Sequence, residues 1–390
     1  MSSTSDPSST GLQDFFGNYW DLFAGFILGI AAIFLHMNGF AYLAVLFAGM
    51  AIASFSFTVS EIAEILAERL QEPYSSFVLT FSAVAVEILL LFMILLESSH
   101  GAHALETVKS GIISAVIVDM NVLLGIAVFV GGLKFKEQEH NEDTSSTYTT
   151  ILLVASVALL VPSVLGYSPN GSDDSLLIAS YIIAFLLGLY YLSIFIFQTK
   201  THIHFFKATA RSRIFRLRRK RGKGEEDEEE EEDNYIFDRL SITANLVIIF
   251  ALIFIIGIIA EIFASDGMQI ATEHGISAAL AGLVIAIISV SPELFTAIKA
   301  AKGDQIQRVV NIAMGASTVS ILLTVPILML LSPLADIRLT LDFNSLQIGA
   351  LILTVILAWK TTDNGETNYV EGISHLMFFF AFAVIAAFYH

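Results

Sequence analysis

The sequence predicts an all-α polytopic membrane protein of eleven transmembrane helices, in which one extra N-terminal helix precedes two inverted five-helix repeats joined by a charged cytoplasmic linker. Three observations predict it. Of 390 residues, 55% are apolar and only 15% charged, and mean hydropathy is +0.74. An ordinary soluble domain is about 25% charged, so a soluble fold would lack the polar surface it needs. Apolar runs near the ~20 residues that a helix needs to cross about 30 Å of hydrocarbon occur eleven times. Basic residues, finally, gather on one side of those runs.

In chain order the runs lie near 21–37, 40–67, 75–96, 108–133, 150–166, 176–199, 241–264, 276–298, 307–331, 346–360 and 372–389. Residues 1–20 form a Ser-rich tail with no Lys or Arg. That is not the charged leader of a cleaved signal peptide, so the tail is expected to stay. The extra span occupies 21–38, the first repeat 39–200, the linker 201–239 and the second repeat 240–390. Eleven alternating spans put Arg69, Lys134, Lys136, the linker bases, Lys299, Lys302, Arg308 and Lys360 on one side, with Lys109 and Arg338 alone on the other. The positive-inside rule then places the N-terminus in the cytoplasm and the C-terminus outside, as in a bacterial inner (plasma) membrane.

The linker carries a basic block from Arg211 to Lys223 and then nine consecutive acids, Glu225 to Asp233. Phe205, Phe206, Ile214, Phe215 and Leu217 interleave the bases, so 205–223 is expected either to lie on anionic lipid headgroups or to be a solvated topology signal. The acidic run repels itself; it reads as a passive linker or as a loose collector of divalent cations. Residues 201–239 hold ten acids and ten bases, so the formal charge of −17 comes from elsewhere. Such an acidic balance excludes nucleic acid as a partner.

Comparison across the linker shows one pattern twice. Ile62-Ala63-Glu64-Ile65 closes the second span and Ile259-Ala260-Glu261-Ile262 the seventh. Each is followed by a span with another glutamate, Glu87 after Ala83-Val84-Ala85-Val86 and Glu293 after Ser289-Val290-Ser291-Pro292. A polar-dotted span comes next, with Asp119 and Asn121 in the first copy and Asn311, Ser317, Thr318 and Ser320 in the second. The Glu87 span runs outward and the Glu293 span inward. Inverted repeats of this kind build transporters whose site lies near the midplane, lined by broken helices. Pro292 removes a backbone donor and is expected to open its helix and free carbonyls as ligands.

A carboxylate at mid-membrane costs about 2.5–3.5 kcal/mol on the lenient insertion scale, so Glu87 and Glu293 are expected to work. Asp119, Glu64 and Glu261 are candidates for proton coupling or gating, and Glu61 belongs beside Glu64. Two glutamates supplemented by Ser, Thr, Asn and freed carbonyls, among them Ser291, form an all-oxygen site for a hard cation, and two charges match Ca2+. Protons compete for the same oxygens. That competition is the minimal chemistry of an antiporter, and it calls for no cofactor. With no cysteine there is no thiolate site, and the nine histidines show no metallohydrolase spacing, which excludes the usual membrane enzymes.

These residues resemble the calcium/cation antiporter superfamily, and within it the bacterial calcium/proton antiporter branch. The resemblance rests on eleven spans, the acidic linker, and the segments Glu61-Ile-Ala-Glu64-Ile-Leu-Ala-Glu68-Arg-Leu-Gln-Glu72-Pro73 and Gln305-Ile-Gln-Arg308-Val-Val-Asn311-Ile-Ala-Met-Gly315. Ser291-Pro292-Glu293 is similar to the Pro-Glu element of sodium/calcium exchangers. The resemblance implies Glu87 and Glu293 as paired cation and proton ligands, with Asn121 and Ser317 as helpers, and a first span outside the repeats. The chain departs from the branch's Gly-Asn-Ala-(Val/Ala)-Glu motif: the Gly-Asn pair is absent from both copies, which removes two amide ligands. Export of Ca2+ against H+ is therefore the leading expectation. Transport of Na+ or K+ on the same fold is the alternative, ahead of sodium-coupled calcium exchange or a channel.

Overall fold

A computed structural model describes residues 19–70, 74–97, 102–168, 172–201 and 236–388. The tail before Tyr19, the basic stretch 205–223 and the acidic run 225–233 lie outside the described residues. Among the described residues eleven helices are long and apolar enough to cross a membrane. They are α1 (Trp20–Met37), α2 (Ala41–Arg69), α3 (Tyr74–Glu97), α4 (Ala102–Val118 continuing through Leu124–Phe135), α5 (Glu142–Leu160), α6 (Asp173–Ile196), α7 (Ile242–Glu273), α8 (Ala278–Lys302), α9 (Ile306–Val319 continuing through Val325–Leu331), α10 (Ser345–Thr362) and α11 (Tyr369–Phe388). One helix thus precedes two sets of five, consistent with inverted repeats.

Helix starts are set by local chemistry. Ser172 and Asn344 form capping boxes with Ser175 and Gln347 at the heads of α6 and α10, and Ser241 and Ser277 cap α7 and α8. Each cap satisfies a backbone N–H that would otherwise be left open at a membrane boundary. Three bounds differ from the sequence expectation, one of them the start of α5, at Glu142 and not near 150. α7 runs on to Glu273, because the polar residues after Glu261 continue helically. α4 starts at Ala102 and thereby takes in Lys109, which is no loop charge: it is 3% exposed and held between Asp342 (2.8 Å) and Glu106 (3.0 Å).

Between membrane helices, lipid is as apolar as Leu, so close approach through small residues and hydrogen bonds does most of the packing. α4 is the most enclosed span, whereas α1 and α6 bury little of their surface. A side chain added at Gly282 of α8 would lie 2.7 Å from the backbone of Ser110 and Gly111 on α4, and one at Gly125 of α4 would lie 2.9 Å from the His375 Cβ on α11. Both halves of α4 therefore pack on α8, and the second half leans on α11 as well.

The two ends of the bundle are cross-linked separately. At one end, strand β1 (Glu137–Glu139) pairs antiparallel with β2 (Glu366–Asn368), Gln138 opposite Thr367. Gln138 donates to the Ala301 carbonyl (3.1 Å) and to Asp304 (2.9 Å), Lys134 donates to the Lys302 carbonyl, and Arg69 bonds the Asp238 and Leu240 carbonyls. This is the basic end. At the opposite end, residues 336–344 thread between helices with Leu339, Leu341 and Phe343 buried, and His36 reaches Asp266.

The helix breaks lie one span later than expected. α8 passes through Pro292 without interruption. Proline deprives the Ile288 carbonyl of its usual donor, and the Ser291 hydroxyl donates to that carbonyl at 2.7 Å instead. Both the missing bond and the freed ligand are thereby cancelled. Irregular backbone lies in α4 and α9, as π-helical turns at Asp119–Leu123 and Ser320–Thr324, and a third π turn, Phe197–Thr201, closes α6. Those of α4 and α9 each lie in the third helix of their set of five.

Candidate functional site

The π turns of α4 and α9 bring their first residues to a common place. Asp119 and Ser320, together with Glu87 of α3 and Glu293 of α8, line one cavity of about 600 Å3. Thr80 and Val84 continue its α3 wall, Ser289, Val290 and Thr296 its α8 wall, and Asn311, Ile312 and Thr318 its α9 wall. Tyr148, Tyr191 and Gln198 cover it from α5 and α6. Toward the basic end it reaches Ser60, Glu64, Glu68 and Arg308, where Glu64 and Arg308 form a half-exposed ion pair of 2.9 Å. A pocket of about 30 Å3, with room for about one water, adjoins Glu293 on the α2 side behind Ser56 and Ser82.

Two hydrogen bonds join the repeats inside the site. Ser320 Oγ donates to Glu87 Oε2 at 2.8 Å, and Ser317 Oγ donates to Asp119 Oδ2 at 3.2 Å. The other oxygens, Glu87 Oε1 and Asp119 Oδ1, together with Glu293 Oε2, are buried without a hydrogen-bond partner. Buried carboxylate oxygens left open are costly, and a proton or a cation would satisfy them. Among the described residues no three His, Asp or Glu lie close enough to hold one ion together. The carboxylates are spread around the wall rather than gathered into a cage.

Of the residues singled out from sequence, Glu87, Glu293, Asp119 and Glu64 line the cavity, and Ser317 touches it through Asp119. Four do not come to it. Asn121 is fully buried on the far face of the α4 π turn, donating to Thr354 Oγ1 (2.9 Å) and bonding His375 Nδ1 (3.0 Å), whose Nε2 meets Thr361 (3.0 Å). Ser291 serves the Ile288 carbonyl. Glu261 is exposed on α7, and Glu61 is likewise exposed on α2. Sequence reasoning missed the Ser320 contact, Arg308, Tyr148 and Gln198. The place of Ser320 beside Asp119 in the repeat alignment could have pointed to it; nothing local marks Tyr148 or Gln198.

The comparisons with known proteins agree with this geometry. The family described as sodium/calcium exchanger protein matches residues 36–200 and 244–388, one segment on each side of the linker. The chain is 26% identical to the sodium-potassium/proton antiporter ChaA of Escherichia coli over 337 residues, covering 86% of this chain and 87% of that one. It is 24% identical to a Ca(2+)/H(+) antiporter of Synechocystis over 311 residues, covering 78% and 80%. The solved structure of the Ca2+/H+ antiporter protein YfkE superposes with a TM-score of 0.72 over 93% of this chain and 99% of that one at 20% identity, a likeness of fold. By the breadth of that family match on both sides of the linker, the chain belongs to the sodium/calcium exchanger family and is a secondary transporter.

Proposed function

We propose that this protein is a cation/proton antiporter that exports Ca2+ from the cytoplasm in exchange for H+, with Glu87 and Glu293 binding the cation or protons in turn. The observation that carries the reading is the pair of glutamates, one from each inverted repeat, facing one membrane cavity with an open carboxylate oxygen on each. Two such charges suit a hard divalent ion, and hydroxyls from Ser289, Thr318 and Ser320 supply further oxygens of the kind that Ca2+ takes. The named calcium/proton antiporters among its relatives support the same reading.

Orientation follows from charge. The basic end faces the cytoplasm, the cavity opens inward, the C-terminus lies outside, and the membrane is the bacterial inner membrane. Residues 205–223 rest on anionic headgroups. Asp119 and Glu64 act in proton coupling or gating, Ser317 holds Asp119, and Asn121 braces the π turn.

Everted membrane vesicles holding a proton gradient test this. Ca2+ is expected to dissipate the gradient, and Glu87→Gln or Glu293→Gln to abolish the response; a parent protein that passes Na+ but ignores Ca2+ defeats it. Transport of Na+ or K+ on the same site is the second reading, favoured by the similarity to ChaA, and the same vesicles given each salt in turn separate the two.

A further inference from the structure

Glu293 borders two cavities, the large one and the pocket of about 30 Å3 enclosed by α2, α3 and α8, whereas Glu87 lines the large one alone of these two. Among the described residues that line the small pocket, Glu293 is the single titratable one, and its Oε2 is buried without a partner. Ser56 Oγ, in the pocket wall, donates to the Ile52 carbonyl at 2.7 Å, and Ser289 Oγ donates to the Ala286 carbonyl at 3.0 Å. A serine hydroxyl has one hydrogen and two lone pairs, so both present acceptors to the pocket and no proton. Pro292, also in the wall, has no N–H to add. Such walls fit a donor. One water can give its hydrogens to Ser56 and Ser289 and keep a lone pair open to the Glu293 carboxyl, which meets the room and the two to four polar partners that a buried water needs. The second repeat lacks this chemistry. Ser60 and Ser56 stand four and eight residues before Glu64, but Gly257 and Ile253 stand four and eight before Glu261, and neither carries a hydroxyl.

We infer that the small pocket is a proton-exchange site: it holds one water that takes the proton from Glu293 on the α2 side, out of the path of the cation entering the large cavity. This rests on the proposed antiporter reading. The carboxyl O–H bond of Glu293 breaks as an O–H bond forms on the water, leaving a carboxylate for the cation. The resulting hydronium has hydrogens for the lone pairs of Ser56 and Ser289, and it passes one proton on past Ser60, which lines both cavities, to water at the mouth. A cation and a proton on one path repel each other; a rear exit for the proton removes that conflict. Only the Glu293 half of the site has this exit, so the two glutamates divide the work unequally.

Proteoliposomes of the full-length protein test it by two exchanges: the transported cation, Ca2+ or Na+, against protons, and the same cation, radiolabelled, against itself. Only the first requires Glu293 to release a proton. Ser56→Val fills the pocket and removes an acceptor. A positioned proton carrier contributes about a hundredfold or more to a transfer step, and reorientation of the carrier masks part of that. Cation/proton exchange is therefore expected to fall about tenfold while self-exchange stays within about twofold of the parent. Ser56→Ala keeps the room, is smaller than serine and so fits the fold, and loses the acceptor; it should lower cation/proton exchange about threefold and spare self-exchange. Equal slowing of both exchanges in Ser56→Ala, or cation/proton exchange at the parent rate, overturns the inference alone. A parent that exchanges no cation for protons overturns the antiporter reading and this inference with it.

Discussion

One end of this bundle is hollow and the other is solid. At the basic end the site opens past Ser60 and Thr296 to a mouth held by one half-exposed ion pair, Glu64 with Arg308. At the opposite end the same helices close on a threaded segment. Ser163 and Ser180 accept from the Phe343 and Leu341 N–H groups at 2.9 Å each, Gln347 donates to Ser110, Arg338 pairs with Asp174, and Lys109 is buried between two acids. The difference teaches how a single cavity can belong to a carrier and not a pore. Access on one side coexists with backbone-level closure on the other, and the inverted repeats contain the means to exchange the two.

The contrast can be broken most severely at the α4–α8 contact. Gly282→Leu places a side chain against backbone that cannot swing away, an overpacking that costs about 1–3 kcal/mol. Transport is expected to fall about a hundredfold, read as Ca2+-driven proton flux in proteoliposomes, while a Ser82→Ala control stays near the parent.

Lys109→Met comes next. It removes the cation from beneath residues 336–344 and leaves Asp342 and Glu106, both partly solvated, so about 1–2 kcal/mol of closure is lost. Because the chain has no cysteine, Leu341→Cys is a single reporter. Its labelling from the side of residues 336–344 should rise about tenfold in the Lys109→Met background, and unchanged labelling would show that the apolar plug suffices.

Arg308→Gln acts on the open end and should do less. A half-exposed pair contributes about 0.2–1 kcal/mol, so the KM for the cation entering at this mouth shifts about two- to fivefold, downward because a positive charge leaves it, with Vmax little changed.

The smallest effect is expected at the clamp beside β1. His140 is buried, its Nδ1 meets Ser145 Oγ at 2.8 Å and its Nε2 has no partner; burial holds its pKa below the ordinary 6.5. The folded state thus binds fewer protons than the unfolded chain, and stability rises with pH. The contribution is present above about pH 6.5 and is lost as pH falls through the depressed folded value. Melting curves between pH 5 and 8 should show a shallower acid decline for His140→Gln.

Span number, the two repeats and the central glutamates were legible because burying charge in lipid is costly enough to leave a mark in composition. What was not legible depends on partners far along the chain. Asn121 has an amide suited to a cation, but His375, 254 residues later, bonds it on the far side of α4. Pro292 carries a break signal that the hydroxyl of its own neighbour silences. Glu64 and Glu261 look alike in sequence, yet Arg308 pairs with one where the cavity reaches it while the other stays exposed on α7. The π turns have no residue signature, and Asp119 Met120 Asn121 shares no residue with Ser320 Ile321 Leu322.

Those π turns also act as phase shifters. One additional residue in a helix of 3.6 residues per turn rotates everything beyond it by about 100°. In α4 this brings a second stripe to α11 after Leu123, where Gly125 and Gly132 meet His375 and Tyr369, while Gly131 still faces Ala301 on α8. A single rod thus has two contact faces, and the carboxylate stands at the joint between them.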